Sequence, residues 1–144
     1  MRRFLAWAMV CLASAISSPL AASAAPADLV IVVDENSPIR GIPIADVRRR
    51  YLGIPLVVNG VEVIPVRNLT DGDFYEVFLQ RVLFMSAESY ERRMLTKIFR
   101  EGGESILAVT SRDELQRVLR TDPRRVTFVP RTAVSRTMRI VAEP

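Results

Sequence analysis

Apolar positions change their spacing several times along this chain, and each change predicts an element. Leu29 to Val33 is an unbroken, valine-rich apolar run behind Asp28. It is too short for a helix and predicts a strand buried on both faces. Asp34-Glu35-Asn36-Ser37-Pro38 then predicts a polar loop. Ile44 to Leu52 predicts a short helix with Gly53 at its C-terminal cap. Between Ile54 and Val66 two β-rich runs flank Asn59-Gly60. That pair favours a two-residue type I′ turn, because both residues tolerate positive φ, so the segment predicts a hairpin.

A helical rhythm follows. Phe74, Val77, Phe78, Val82 and Met85 recur at three- and four-residue steps and predict one apolar face over Gly72 to Met85. Ser86 opens a second helix with Tyr90, Met94, Leu95 and Ile98 on its inner face, ending at Gly102-Gly103. Ser105 to Thr110 predicts a strand. Ser111 and Glu114 form a capping box for a helix carrying Leu115, Val118 and Leu119, which Asp122-Pro123 stops. Arg125 to Pro130 and Thr137 to Ala142 predict the last strands. The strand–helix–strand unit from Ile106 to Val129 predicts a crossover between parallel strands, and the hairpin adds an antiparallel pair. The sum is an α/β sandwich: a mixed β-sheet flanked by helices.

The N-terminus follows another pattern. Arg2-Arg3 precedes an uncharged apolar run from Phe4 to Ile16, Pro19 breaks it, and Ala22-Ser23-Ala24 has the small residues of a cleavage site. Residues 1–24 therefore predict a secretory signal peptide. The competing reading is a membrane anchor, against which the run falls short of the ~20 residues a span needs. Arg2-Arg3-Phe4-Leu5 lacks a residue of the twin-arginine pattern, which favours the general secretory route. Residues 25–144 predict a single domain with a real core. Losing Arg2 and Arg3 lowers the formal charge of +4 by two, and Lys97 is the only lysine among twenty basic residues.

Absences bound the chemistry most sharply. The chain has no histidine, and its one cysteine, Cys11, lies in the apolar run to be removed. Disulfides, Ser-His-Asp and Cys-His nucleophile systems and His-based zinc sites are excluded from residues 25–144. Carboxylates, hydroxyls, Lys97 and the tyrosines Tyr51, Tyr75 and Tyr90 remain, in no pattern that predicts an enzyme or a cofactor. Arg48-Arg49-Arg50 and Arg92-Arg93 are balanced by nearby acids and have no interleaved aromatics, so nucleic acid is not an expected partner.

The order of segments resembles one lobe of the type 2 periplasmic binding proteins, in particular the phosphate-binding-like proteins of ABC transporters. The resemblance rests on "VIVVDENSPIRGIPIADVRRRYLG", the hairpin, "PVRNLTDGDFYEVFLQRVL" and "SAESYERRMLTKIFREGG", in that order over residues 28–142. It implies an exported, periplasmic, single-lobe module. Its ligand would be a small oxyanion such as phosphate, and its partner a membrane transporter or sensor protein.

The resemblance places the ligand at Arg67, Asn68, Thr70, Asp71, Gly72 and Asp73. Family members have an arginine and then Ser-Gly-Thr at a helix N-terminus. Arg67 and Gly72 match, while Asp71 and Asp73 stand where the hydroxyls would be. An ionised carboxylate donates nothing to phosphate. Like charges ~4 Å apart repel by about 4 kcal/mol at an effective dielectric near 20, against at most ~2 kcal/mol of helix-terminus attraction. The alternative is structural: Asp71 caps the helix, Asp73 complements its dipole, and Arg67 pairs with one of them. A hard cation held by the aspartates with Asn68 and Thr70 is a further reading, although calcium takes six or more oxygens. The Asp34–Ser37 loop is expected either to share the mouth with Arg67 or to be solvated. Two functions follow: a solute-binding module that holds an oxyanion weakly, or an envelope protein-interaction subunit whose ligand site is lost.

Overall fold

The computed structural model describes residues 28–144; the expected signal peptide lies outside the described residues. In chain order the elements are β1 (Leu29–Asp34), α1 (Ile44–Tyr51), β2 (Val57–Val58), β3 (Val61–Glu62), β4 (Ile64–Asn68), α2 (Gly72–Phe78), α3 (Ala87–Glu101), β5 (Leu107–Val109), α4 (Arg112–Thr121), β6 (Arg125–Pro130) and β7 (Met138–Ala142). Five strands form one sheet in the order β5-β4-β6-β1-β7. β4 is parallel to both β5 and β6, whereas β1 is antiparallel to both β6 and β7. The mixed α/β sandwich expected from the sequence is what forms.

β1 explains why two layers of helix are needed. All six of its positions are buried. Successive side chains of a strand point to opposite faces, so Leu29, Ile31 and Val33 enter one apolar cluster and Val30 and Val32 another. The first cluster lies under α1, α2 and α3, with Val47, Tyr51, Phe78 and Tyr90 at its heart. The second is aliphatic and is closed by Leu115 and Leu119 of α4. On the larger side the Phe128 ring stacks on Phe78 at 3.7 Å between centroids, and the Tyr51 ring meets Phe78 edge-on at 4.8 Å. Tyr51 also satisfies its hydroxyl by donating to the Val66 carbonyl at 2.8 Å, and Tyr90 donates to the Tyr51 carbonyl at 3.0 Å. These bonds tie α1 and α3 to the middle of the sheet and satisfy the Tyr51 and Tyr90 hydroxyls.

Local chemistry sets the boundaries. Asn59 and Gly60 take φ of 53° and 77°, as a type I′ turn requires. Ser86 and Ser111 cap α3 and α4 by accepting from the backbone N–H three residues on. Gly102 ends α3 in the left-handed conformation.

Four expectations are corrected. The hairpin β2–β3 forms its own two-stranded sheet, so the antiparallel pairs of the main sheet come from β1 and β7 instead. The helix expected over Gly72 to Met85 is α-helical only to Phe78; a π-helical turn, Leu79–Leu83, follows and ends at Phe84 in the left-handed conformation. Leu79 and Leu83 of the wider turn, and Tyr75 before it, enter the core beside the expected residues. Leu95 is 52% exposed and faces out from α3. The Asp34–Ser37 loop does not share an edge with the end of β4. Because β1 runs antiparallel to β6, its carboxyl end lies where β6 begins, and Ser37 donates its hydroxyl to the Pro123 carbonyl there.

Candidate functional site

β5, β4 and β6 are mutually parallel, so their carboxyl ends share one edge of the sheet. In open α/β sheets ligands gather outside such an edge. Two chain segments leave it into helices: Leu69–Asp71 into α2, and Thr110–Ser111 into α4. Asn68 at the end of β4 and Thr70 and Asp71 of the first segment meet Arg112, Leu115 and Gln116 of α4 around a cavity of ≈ 50 Å³, with Phe74, Val129 and Met138 as apolar walls.

Each side chain there has a local reason for its position. Asn68 is buried; its Nδ2 donates to the Phe128 carbonyl at 2.9 Å, and its Oδ1 accepts from the Thr70 N–H at 3.1 Å and the Thr70 hydroxyl at 2.7 Å. This turn bends the chain away from β4. Asp71 Oδ1 accepts from the Phe74 N–H at 3.1 Å, which makes it the cap of α2. Asp73 is exposed in the first turn of α2, where its charge complements the helix dipole. Gly72 is exposed, has no positive φ, and has nothing within 4 Å of where a Cβ would stand. No close approach requires a glycine at this position.

Arg67 does not line this cavity. Neighbours on a strand face opposite ways: Asn68 lies on the α4 side and Arg67 on the α2–α3 side. Arg67 Nη2 donates to Glu91 Oε1 at 2.6 Å, and its guanidinium lies 5.7 Å from both the Tyr75 and Tyr90 ring centroids. The expectation that Arg67 pairs with Asp71 or Asp73 is therefore corrected: its partner is Glu91 of α3. The cation at the cavity is Arg112, which the sequence reading missed. Its signal was present, since Ser111-Arg112 opens a capped helix directly after a parallel strand, the same rule that drew attention to Arg67–Asp73.

The tyrosines are buried in the core. Burial raises the pKa of Tyr51, Tyr75 and Tyr90 above the ordinary tyrosine value. Arg48, Arg49 and Arg50 diverge: Arg48 donates to the Val82 carbonyl and lies 4.1 Å over the Phe84 ring, Arg49 faces Asp46 at 3.6 Å, and Arg50 donates to the Val63 carbonyl. Among the described residues, no group of three or more Cys, Asp or Glu is placed to hold a metal ion, and no helix is long and apolar enough to cross a membrane.

No family model matches the sequence, and no curated protein matches it. Among solved structures the chain is similar to an ABC-type phosphate transport receptor from Vibrio cholerae, with a TM-score of 0.48 and 16% sequence identity. The similarity covers 79% of this chain and 45% of the receptor, so the chain spans less than half the receptor's length. A likeness at this level is a distant one of fold and brings neither a ligand nor a partner to this chain.

Proposed function

We propose that this chain is an exported solute-binding-like module that holds a small oxyanion such as phosphate, weakly, at the carboxyl edge of its parallel strands. The observation that carries the reading is the convergence of β4, β6 and the amino end of α4 on one cavity bordered by Thr70 and Arg112. Arg112 supplies the charge, and the first N–H groups of α4 add their partial positive charge. Asn68 holds Thr70 in place, and Asp71 lies at the rim. Weak binding follows from two facts. Asp71 brings an acceptor to the rim, and a cavity of ≈ 50 Å³ covers little of an ion's surface.

Calorimetric titration with phosphate, sulfate and acetate at low ionic strength tests this. Saturable binding of at least one anion, weakened about tenfold by Arg112→Ala, is expected. Absence of saturation with all three ends the oxyanion reading. The exported, periplasmic location belongs to the same proposal and is read by fractionating cells that express a tagged full-length chain.

A second reading, an envelope interaction subunit for a membrane transporter or sensor, is favoured by two aromatic rings. Phe84 is 68% exposed and Phe99 84% exposed, and rings so open to water are candidate contacts. A photo-crosslinker at position 99 should then give a discrete adduct in cells, and uncrosslinked protein alone would sink it.

A further inference from the structure

The opposite edge of the sheet carries the larger opening. A groove of ≈ 410 Å³ runs along the amino ends of β4, β5 and β6, between the end of α1 and the middle of α3. Its volume is in the range of small-molecule pockets, ~300–1,000 Å³. Its apolar lining comes from Ile64, Val66, Met94, Ile98, Ile106 and Leu107. Three cations, Arg50, Lys97 and Arg125, line it against one acid, Glu104.

The acids near these cations stand outside the lining. Glu62 is 3.6 Å from Arg50, and Glu101 accepts from Lys97 at 2.5 Å. Arg125 is the least satisfied. The carboxylate nearest it, Asp122 at 3.9 Å, already accepts from Arg124 Nε and Nη2 at 2.9 Å each. Arg125 Nε is covered and has no hydrogen-bond partner. A covered donor without an acceptor is a rare feature that calls for a ligand or a water. Arg50 is held in position because its Nε donates to the Val63 carbonyl at 2.6 Å. The Lys97 stem lies across Gly53, where an added Cβ would come within 2.3 Å of Lys97 Cε.

We infer that this groove is a binding site for a small amphipathic carboxylate, a compact aliphatic body bearing one carboxylate, with Arg125 and Arg50 receiving the head group. A guanidinium can donate two parallel N–H bonds to one carboxylate. The aliphatic body covers Ile106 and Leu107, the latter 44% exposed in the structure. No aromatic side chain lines the groove, so it offers no stacking surface for a nucleobase. Inorganic phosphate has no apolar body with which to use its walls. The site is separate from the carboxyl-edge cavity and shares no residue with it.

The test is titration of the purified, isotope-labelled protein with octanoate, followed by amide resonances, with inorganic phosphate as the comparator. Saturable octanoate shifts are expected at residues 64, 66, 98 and 106–107, with none there from phosphate. Arg125→Gln should weaken octanoate at least tenfold, and Arg112→Ala should leave it unchanged. Leu107→Glu alters an exposed position, so folding should survive, and its added charge should abolish octanoate binding. Non-saturating octanoate shifts, phosphate shifts in the groove, or wild-type octanoate affinity in folded Arg125→Gln or Leu107→Glu would each overturn the inference. Loss of phosphate binding in Arg112→Ala bears only on the other edge.

Discussion

At the carboxyl edge of β4 to β6 the polar side chains are largely occupied within their own turn. Asn68 holds Thr70 and the Phe128 carbonyl, and Asp71 holds the start of α2. At the amino edge, three cations from α1, α3 and β6 face one acid across a groove roughly eight times larger. The first edge resembles a binding site in sequence because a turn that must bend the chain and start a helix needs the same residues as an anion cradle: short acceptors, a glycine and free N–H groups. The second edge has no sequence motif. Its residues meet only because parallel strands begin together where α1 ends and α3 passes.

Raising the pH should act on both edges at once. Tyr51, Tyr75 and Tyr90 have their pKa raised by burial, so the folded state keeps protons that the unfolded chain releases near pH ~10. Their contribution to stability is fully present below that value and is lost as pH rises through the folded values. Complete unfolding at strongly alkaline pH is expected, with tyrosinate absorbance appearing together with loss of circular dichroism. Tyrosinate appearing well before unfolding would contradict the sealed core.

Asn68→Ala should separate the edges. It strips the Phe128 carbonyl and the Thr70 turn of their partner, and a cost of about 1–3 kcal/mol is expected from urea unfolding. Octanoate affinity at the amino edge should not change. An unaltered urea midpoint would mean that the carboxyl-edge turn is not held as described.

Gly72→Ala should have the smallest effect, within ~0.5 kcal/mol, because the position is exposed and open. If it abolishes phosphate binding without changing stability, the anion approaches the start of α2 more closely than the start of α4. Unchanged phosphate affinity keeps the anion at Thr70 and Arg112.

Most of the architecture was legible because it depends on local patterns. The valine run gave away β1, and Asn59-Gly60 could hardly be anything but a turn with two positive φ angles. Strand partners were not legible: nothing in Leu29–Val33 says that both neighbours run antiparallel, and that direction is what keeps the Asp34–Ser37 loop away from the carboxyl edge of β4. The π-turn was hidden because Val82 and Met85 continue the helical spacing whether or not one turn widens. At the carboxyl edge, Asn68, Thr70 and Asp71 border one cavity. Strand alternation sets Arg67 on the face opposite Asn68, and its partner Glu91, 24 residues away, was beyond any local reading. Arg50, Lys97 and Arg125 were beyond any local reading, because no spacing relates them.

Lys97 has one more consequence. It is the only lysine in the sequence, it rests on Gly53, and it borders both the amino-edge groove and the neighbouring opening lined by Arg92 and Arg93. An acylating dye therefore meets a single side-chain amine, fixed at the partition between two openings. With the terminal α-amine blocked first, amine labelling would place a fluorophore there without any engineered cysteine, and its emission would report which of the two sides fills.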